Sequence, residues 1–165
     1  MKVKSETEVV YRAVSSVSAE QEDEVVAHAL EILERRIRKC EFKISSPDDV
    51  KKFLVLKLSE LEHEVFWVLY LNSQNQVICH EELFRGTLNQ AVVYPREVVK
   101  RVLHHNANSI ILAHCHPSGL CEASSADRTL TDVIKRALAL IEVNLLDHVI
   151  VGQTNTLSFV ERGYL

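Results

Sequence analysis

The chain has 165 residues, a length that fits one domain of ordinary size with a buried core of its own. Apolar residues make up 47% and charged residues 25%, the balance of a folded protein rather than a disordered one. A formal net charge of −4 argues against a general binder of nucleic acid or anionic membrane, and no apolar run approaches the roughly 20 residues that a membrane span needs.

In chain order, Met1 to Thr7 is mostly polar and charged and does not read as a secretory signal. Ser18-Ala19-Glu20-Gln21 reads as a capping box opening a helix to about Lys39, with Val25, Val26, Ala29, Leu30, Leu33 and Ile37 along one face. Arg35, Arg36, Arg38 and Lys39 form a basic cluster at its end, where cations also suit the helix dipole. Ser46-Pro47-Asp48-Asp49 starts a second helix to about Leu58, serine as cap and proline in the first turn. Phe66 to Leu71 and Gln76 to Phe84 read as strands joined by the turn Asn72-Ser73-Gln74-Asn75. Pro95 opens a helix through about His105, with Val98, Val99, Val102 and Leu103 facing inward. Ser109 to Ala113 is a short buried strand, Ser125 to about Glu142 a helix, and Leu145–Val151 and Leu157–Glu161 the last strands. Helices and strands alternate without a strict βαβ rhythm, so the expected class is α/β or α+β with a mixed sheet flanked by helices.

The four glycines all lie after residue 85, at 86, 119, 152 and 163, which concentrates tight backbone geometry in the second half. The cysteines at 40, 79, 115 and 121 are scattered and contain no C-x-x-C pair. A cytoplasmic protein with reduced thiols is the expectation.

Chemistry is concentrated in Ala113-His114-Cys115-His116-Pro117-Ser118-Gly119 and the following residues to Asp127. His114 and His116 are two apart at a strand end, so both imidazoles leave one face while Cys115 points to the other. Pro117 ends the strand, Gly119 lets the loop turn, and Asp127 sits in the first turn of the next helix. A lone His-x-His is ordinary, and Ser124-Ser125-Ala126-Asp127 alone is an ordinary helix start. Together, two nitrogens and one carboxylate oxygen suit zinc and leave a fourth position open for water, the catalytic rather than the structural pattern.

The spacing His114-x-His116, seven residues, Ser124, two residues, Asp127 resembles the JAMM (MPN-plus) metalloprotease signature. His116-Pro117-Ser118-Gly119 looks like the RadC branch of that family, as do Arg85-Gly86-Thr87, Tyr94-Pro95-Arg96-Glu97-Val98-Val99 and Leu146-Asp147-His148-Val149-Ile150-Val151-Gly152. The resemblance covers 46–165 and leaves 1–45 as an N-terminal helical extension. It implies a JAB/MPN (cytidine-deaminase-like) fold and one Zn2+ per chain held by His114, His116 and Asp127. It also implies an acid ahead of the first core strand as general base, for which Glu64 fits best and Glu81 and Glu82 are rivals. Ser124 would help zinc stabilise the oxyanion. The implied reaction is hydrolysis of a peptide or isopeptide amide bond in a peptide or protein substrate.

Two departures stand out. Cys115 occupies a position usually filled by asparagine in this branch. The stretch before residue 46 contains no glycine, so the helix-hairpin-helix element of longer RadC proteins is expected to be absent, and nucleic acid is not an expected partner. The N-terminal helix is left with two roles, packing on the domain or mediating a homo-oligomer. His148, in a penultimate strand beside Asp147, is expected to be buried beside the site, with a structural role the first reading. The competing functions are a non-catalytic MPN-type scaffold and a DNA-repair-associated factor.

Overall fold

The computed structural model describes residues 18–38, 46–86, 93–153 and 155–165; Lys39, Cys40 and Thr87, named above, lie outside them. The chain divides into two compact units, Met1–Arg35 and Arg36–Leu165. Helix α1 (Ala19–Arg38) is opened by the expected capping box: Gln21 N donates to Ser18 Oγ at 3.4 Å and Ser18 N donates to Gln21 Oε1 at 3.0 Å. Val26, Ala29, Leu30 and Leu33 are half-buried, whereas Val25 is exposed.

The remaining described elements are α2 (Pro47–Leu58), β1 (Val65–Leu71), β2 (Val77–Arg85), α3 (Pro95–His104), β3 (Ser109–Cys115), α4 (Ser125–Ala139), β4 (Asn144–Val151) and β5 (Thr156–Ser158). The strands form a sheet in the order β2-β1-β3-β4-β5. β1 runs antiparallel to β2 and β3, β3 parallel to β4, and β4 antiparallel to β5. The sheet is therefore mixed, as expected. β3 lies at its centre and is buried along its whole length, because helices cover both faces.

On one face α2 packs against β3 and β4, burying Val50, Phe53, Leu54 and Leu58 at helical spacing. On the other, Val98 and Val102 of α3 and Ile134 and Leu138 of α4 join Phe66, Val68, Tyr70, Ile110 and Leu112 in one cluster. At roughly 1.5–3 kcal/mol for each fully buried aliphatic side chain, four such anchors are ample to hold α3 and α4 to the sheet. Even-numbered residues of β1 and β3 face this second core, so His114, two beyond Leu112, ends on the same side.

Two boundaries differ from the sequence expectation. α4 stops at Ala139 rather than near Glu142, because Glu142 takes a left-handed conformation (φ 56°) and Val143 N donates to Leu138 O at 3.1 Å. Asn106 (φ 50°) ends α3 in the same way, with Ala107 N donating to Val102 O at 3.1 Å. Both are Schellman-type stops made without glycine. The last strand is also shorter than expected. Val160 N donates to Asp147 Oδ1 at 3.1 Å and Glu161 N to Ser158 Oγ at 3.2 Å, so side chains take the donors that a continued ladder would use.

Candidate metal centre

His114 leaves the C-terminal end of β3 toward the core shared with α3 and α4, and its ring stacks against Phe66 with centroids 6.4 Å apart. His116 lies just past the strand on the same side. Cys115 faces away and its Sγ donates to His63 O at 3.4 Å, so the expected opposition of Cys115 to the two imidazoles holds. His114 Nε2 and His116 Nε2 are 3.0 Å apart, and Asp127 Oδ1 is 3.5 Å from His114 Nε2. Their potential ligand atoms all lie within 4.8 Å of one another.

The loop after β3 supports His116. His116 Nδ1 donates to Leu120 O at 2.7 Å; a carbonyl can only accept, so Nδ1 carries a proton and Nε2 is the ring nitrogen that faces His114 Nε2. Gly119 adopts φ 79° in that loop, and a Cβ on Gly152 would meet Gly119 O at 2.5 Å and Cys121 Sγ at 2.7 Å. Glycine at 152 is therefore required for the loop to lie against the end of β4 and present Leu120 O.

Asp127 is oriented by the start of α4. Ser124 N and Ser124 Oγ both donate to Asp127 Oδ2, at 2.8 and 2.6 Å, and Asp127 N donates to Ser124 Oγ at 3.1 Å. This capping box occupies Oδ2 and aims Oδ1 at the histidines. The Ser124 hydroxyl proton is committed to the carboxylate here, not to the cleft.

Behind His114 lies His148, buried beside the site as its place in the sequence suggests. His148, on β4 beside Leu112 of β3, is fully buried, and its Nε2 sits 2.9 Å from His114 Nδ1. Its Nδ1 sits 2.6 Å from Thr131 Oγ1, and Thr131 Oγ1 donates to Asp127 O at 2.6 Å. Thr131, four residues after Asp127, went unmarked because a threonine inside a helix carries no signal by itself.

Burial pushes His114 down to about 4, with Asp127 opposing the shift and His116 adding to it. Burial, then the neighbouring histidines, pushes His148 well below the usual range. Both imidazoles are therefore neutral near pH 7, the form in which imidazole binds metal. Tetrahedral zinc at its usual bond lengths separates its ligand atoms by about 3.3 Å, so the spacings of 3.0 and 3.5 Å fit that donor set.

A stability prediction follows for the metal-free protein. Unfolded histidine titrates near pH 6.5 while folded His114 titrates near 4 and folded His148 is held well below its usual range, so below about pH 6.5 the unfolded chain binds more protons. Stability is thus present above about pH 6.5 and lost as pH falls, at roughly 1.4 kcal/mol per pH unit for each histidine. Urea unfolding between about pH 7 and 5 should show this slope; a flat profile would contradict burial of the neutral rings.

Glu64 stands immediately before β1, and continuing the β1–β3 register (Phe66 opposite His114) sets it across from His116. It lines a cleft of about 390 Å³ with His114, His116, Ser124 and Asp127. Its rivals do not line this cleft. Glu81 receives Arg101 Nε and Nη2 at 2.7 and 2.6 Å and Tyr70 Oη at 2.8 Å. Burial raises its carboxyl, but these hydrogen bonds prevail and hold it below the usual range. Glu82 is paired twice with Arg85, at 2.6 and 2.8 Å.

Comparison with known proteins agrees with the motifs. A model of the RadC-like JAB domain matches residues 44–164. The chain belongs to the RadC-like JAB domain family. Its mixed sheet between helices is the α/β JAB/MPN fold, and the His/Asp cluster of this family member is compatible with a metal site. The chain is 51% identical over 141 residues to a UPF0758 protein of Nitrosospira multiformis, covering 86% of this chain and 62% of that protein. It is 57% identical over 120 residues to one of Methylibium petroleiphilum (73% and 54%) and 50% over 122 residues to one of Vibrio cholerae (74% and 54%). The chain thus spans about half to three-fifths of the length of these relatives. Among the described residues no helix is long and apolar enough to cross a membrane, and Cys79, Cys115 and Cys121 are free thiols.

Proposed function

We propose that residues 46–165 form a zinc-dependent hydrolase of peptide or isopeptide amide bonds, with 1–45 as a helical extension, working in the cytoplasm where its thiols stay reduced. The observation that carries this reading is the convergence of His114 Nε2, His116 Nε2 and an Asp127 oxygen in a cleft that Glu64 also lines.

His114, His116 and Asp127 would hold the metal. Zinc held there would supply Lewis acidity, bringing the pKa of water toward about 7 and polarising a carbonyl. Glu64 acts as general base: its carboxylate takes a proton from the attacking water and delivers it to the leaving nitrogen, which cannot depart as an anion. Ser124 has two duties. Its hydroxyl holds Asp127 Oδ2 in the resting site, and it serves the tetrahedral oxyanion by exchanging that bond, while Ser124 N keeps its hold on the carboxylate at 2.8 Å. Phe66, Val93 and Leu130 make the cleft partly apolar, which strengthens the electrostatic interactions of the polar groups beside them.

Metal content of tag-free protein tests the reading, with wild type beside His116→Ala. We expect one zinc per chain in the wild type and loss of it in the variant. Loaded wild type should cleave members of a broad panel of peptides and isopeptide-linked conjugates. Full zinc occupancy without cleavage anywhere in the panel would sink the hydrolase assignment. Protein that stays metal-free when zinc is supplied near neutral pH would sink the metal assignment and leave the scaffold.

A further inference from the structure

We infer that Thr131 and His148 are positioning residues of the metal centre, forming a one-way hydrogen-bond relay that leaves the Nε2 lone pair of His114 facing the site. The inference rests on the reading of His114, His116 and Asp127 as metal ligands. It adds two residues outside the cleft lining, one on α4 and one on β4.

The direction of the relay follows from counting protons. Thr131 Oγ1 is 2.6 Å from the carbonyl oxygen of Asp127 and 2.6 Å from His148 Nδ1. A hydroxyl has one proton, and the carbonyl has none to give, so the proton points to Asp127 O. Thr131 Oγ1 must then accept from His148, which places the single ring proton of neutral His148 on Nδ1. His148 Nε2 is consequently an acceptor, and the group 2.9 Å from it, His114 Nδ1, must donate. His114 is thereby fixed as the Nδ1–H tautomer with a bare Nε2.

The loop imposes the same tautomer on His116 through Leu120 O. Two bare Nε2 atoms thus stand 3.0 Å apart beside a carboxylate oxygen 3.5 Å from one of them, with no proton assigned to the gap. Three acceptors facing one another repel unless a cation lies between them. A back-bond from a helix threonine to the carbonyl four residues earlier is commonplace, and alone would mean nothing. The second contact, to an imidazole that itself meets a candidate ligand, gives Thr131 its consequence. Thr131 is 1% and His148 0% exposed, so water cannot replace either partner. The relay also joins the two kinds of ligand, since it begins at the backbone of Asp127 and ends on His114.

Thr131→Val and Thr131→Ser test the inference, because valine keeps the shape and removes the hydroxyl while serine restores it. In metal-free, 15N-labelled wild type, long-range proton–nitrogen correlation spectra should place the His114 proton on Nδ1. Thr131→Val frees His148 to carry its proton on Nε2, so His114 should shift toward the Nε2–H tautomer. Zn2+ titrated alone against a competing chelator should then bind about 10–100-fold more weakly, the usual effect of losing a group that orients a metal-bound histidine. Thr131→Ser should restore both tautomer and affinity to near wild type. A proton on His114 Nε2 in the wild type overturns the inference, as does a Thr131→Val protein whose tautomer and zinc affinity are unchanged. If wild type takes up no zinc, the metal reading fails, while the tautomer spectra still decide the relay. If Thr131→Val does not fold, the wild-type spectra decide it in the same way.

Discussion

Glu64→Gln is expected to retain one zinc per chain and to lose amide hydrolysis by about 10²–10⁴-fold, the usual contribution of a positioned general base. The glutamine amide has nearly the shape of the carboxylate but cannot accept the proton of the attacking water. Glu64 is not among the three residues whose ligand atoms converge, so the substitution leaves that donor set intact. The control is Glu81→Gln. Glu81 is a rival from its place in the sequence, but in the fold it is clamped by Arg101 and Tyr70 and does not line the cleft. Its replacement should weaken that clamp and lower stability by about 1–3 kcal/mol, the cost of hydrogen bonds to a charged group, with turnover per folded molecule unchanged. Initial rates on one cleaved substrate, normalised to zinc content, separate the two. Equal losses in both variants, or none in Glu64→Gln, would remove Glu64 from the proton-transfer step.

The core of this geometry could be read from the sequence because it depends on short-range rules. Strand parity alone puts His114 and His116 on one side and Cys115 on the other. The cap pattern Ser124-x-x-Asp127 predicts that the aspartate folds back at a helix start, and the same hydrogen bonds that cap α4 turn Oδ1 toward the imidazoles. Glu64 came from the family resemblance instead, as the acid ahead of the first core strand, and the fold sets it in the lining of the same cleft. What stayed hidden depends on long-range register. The burial of His148 beside the site was expected, but its contact with His114 arises because β4 pairs in parallel with β3 and sets His148 beside Leu112, and no local pattern announces a parallel register. Thr131 matters only once His148 is in place. The early end of α4 was obscured for another reason: Glu142 adopts the left-handed conformation that glycine usually marks. The shortened last strand was hidden by Asp147, whose carboxylate captures Val160 N, Ser158 Oγ and His148 N across the fold.

Asp127→Ala should abolish zinc-dependent stabilisation and weaken the metal-free fold as well, because one carboxylate serves both purposes. Its Oδ2 receives two bonds from Ser124, so alanine removes the reciprocal half of the capping box. That loss is expected to cost about 0.5–2 kcal/mol in metal-free protein, the range for a lost cap. Asp127→Asn separates the two duties. Its amide oxygen still accepts from Ser124 and keeps most of the cap, so metal-free stability should fall by only about 0.3–1 kcal/mol, from the lost charge at the helix start. The neutral amide is a poor zinc ligand, however, and both variants should lose the metal. Free zinc at 100 times its dissociation constant adds about 2.7 kcal/mol to a protein that binds it only when folded. For a chain of this size that corresponds to a rise in Tm of roughly 5–10 °C. Thermal unfolding with and without zinc should therefore show that rise in wild type and in neither variant. The metal-free melting points should fall in the order wild type, Asp127→Asn, Asp127→Ala. An Asp127→Asn protein with the full zinc shift would remove the carboxylate from the ligand set. A metal-free Asp127→Ala as stable as wild type would show that the capping bonds contribute nothing to the start of α4.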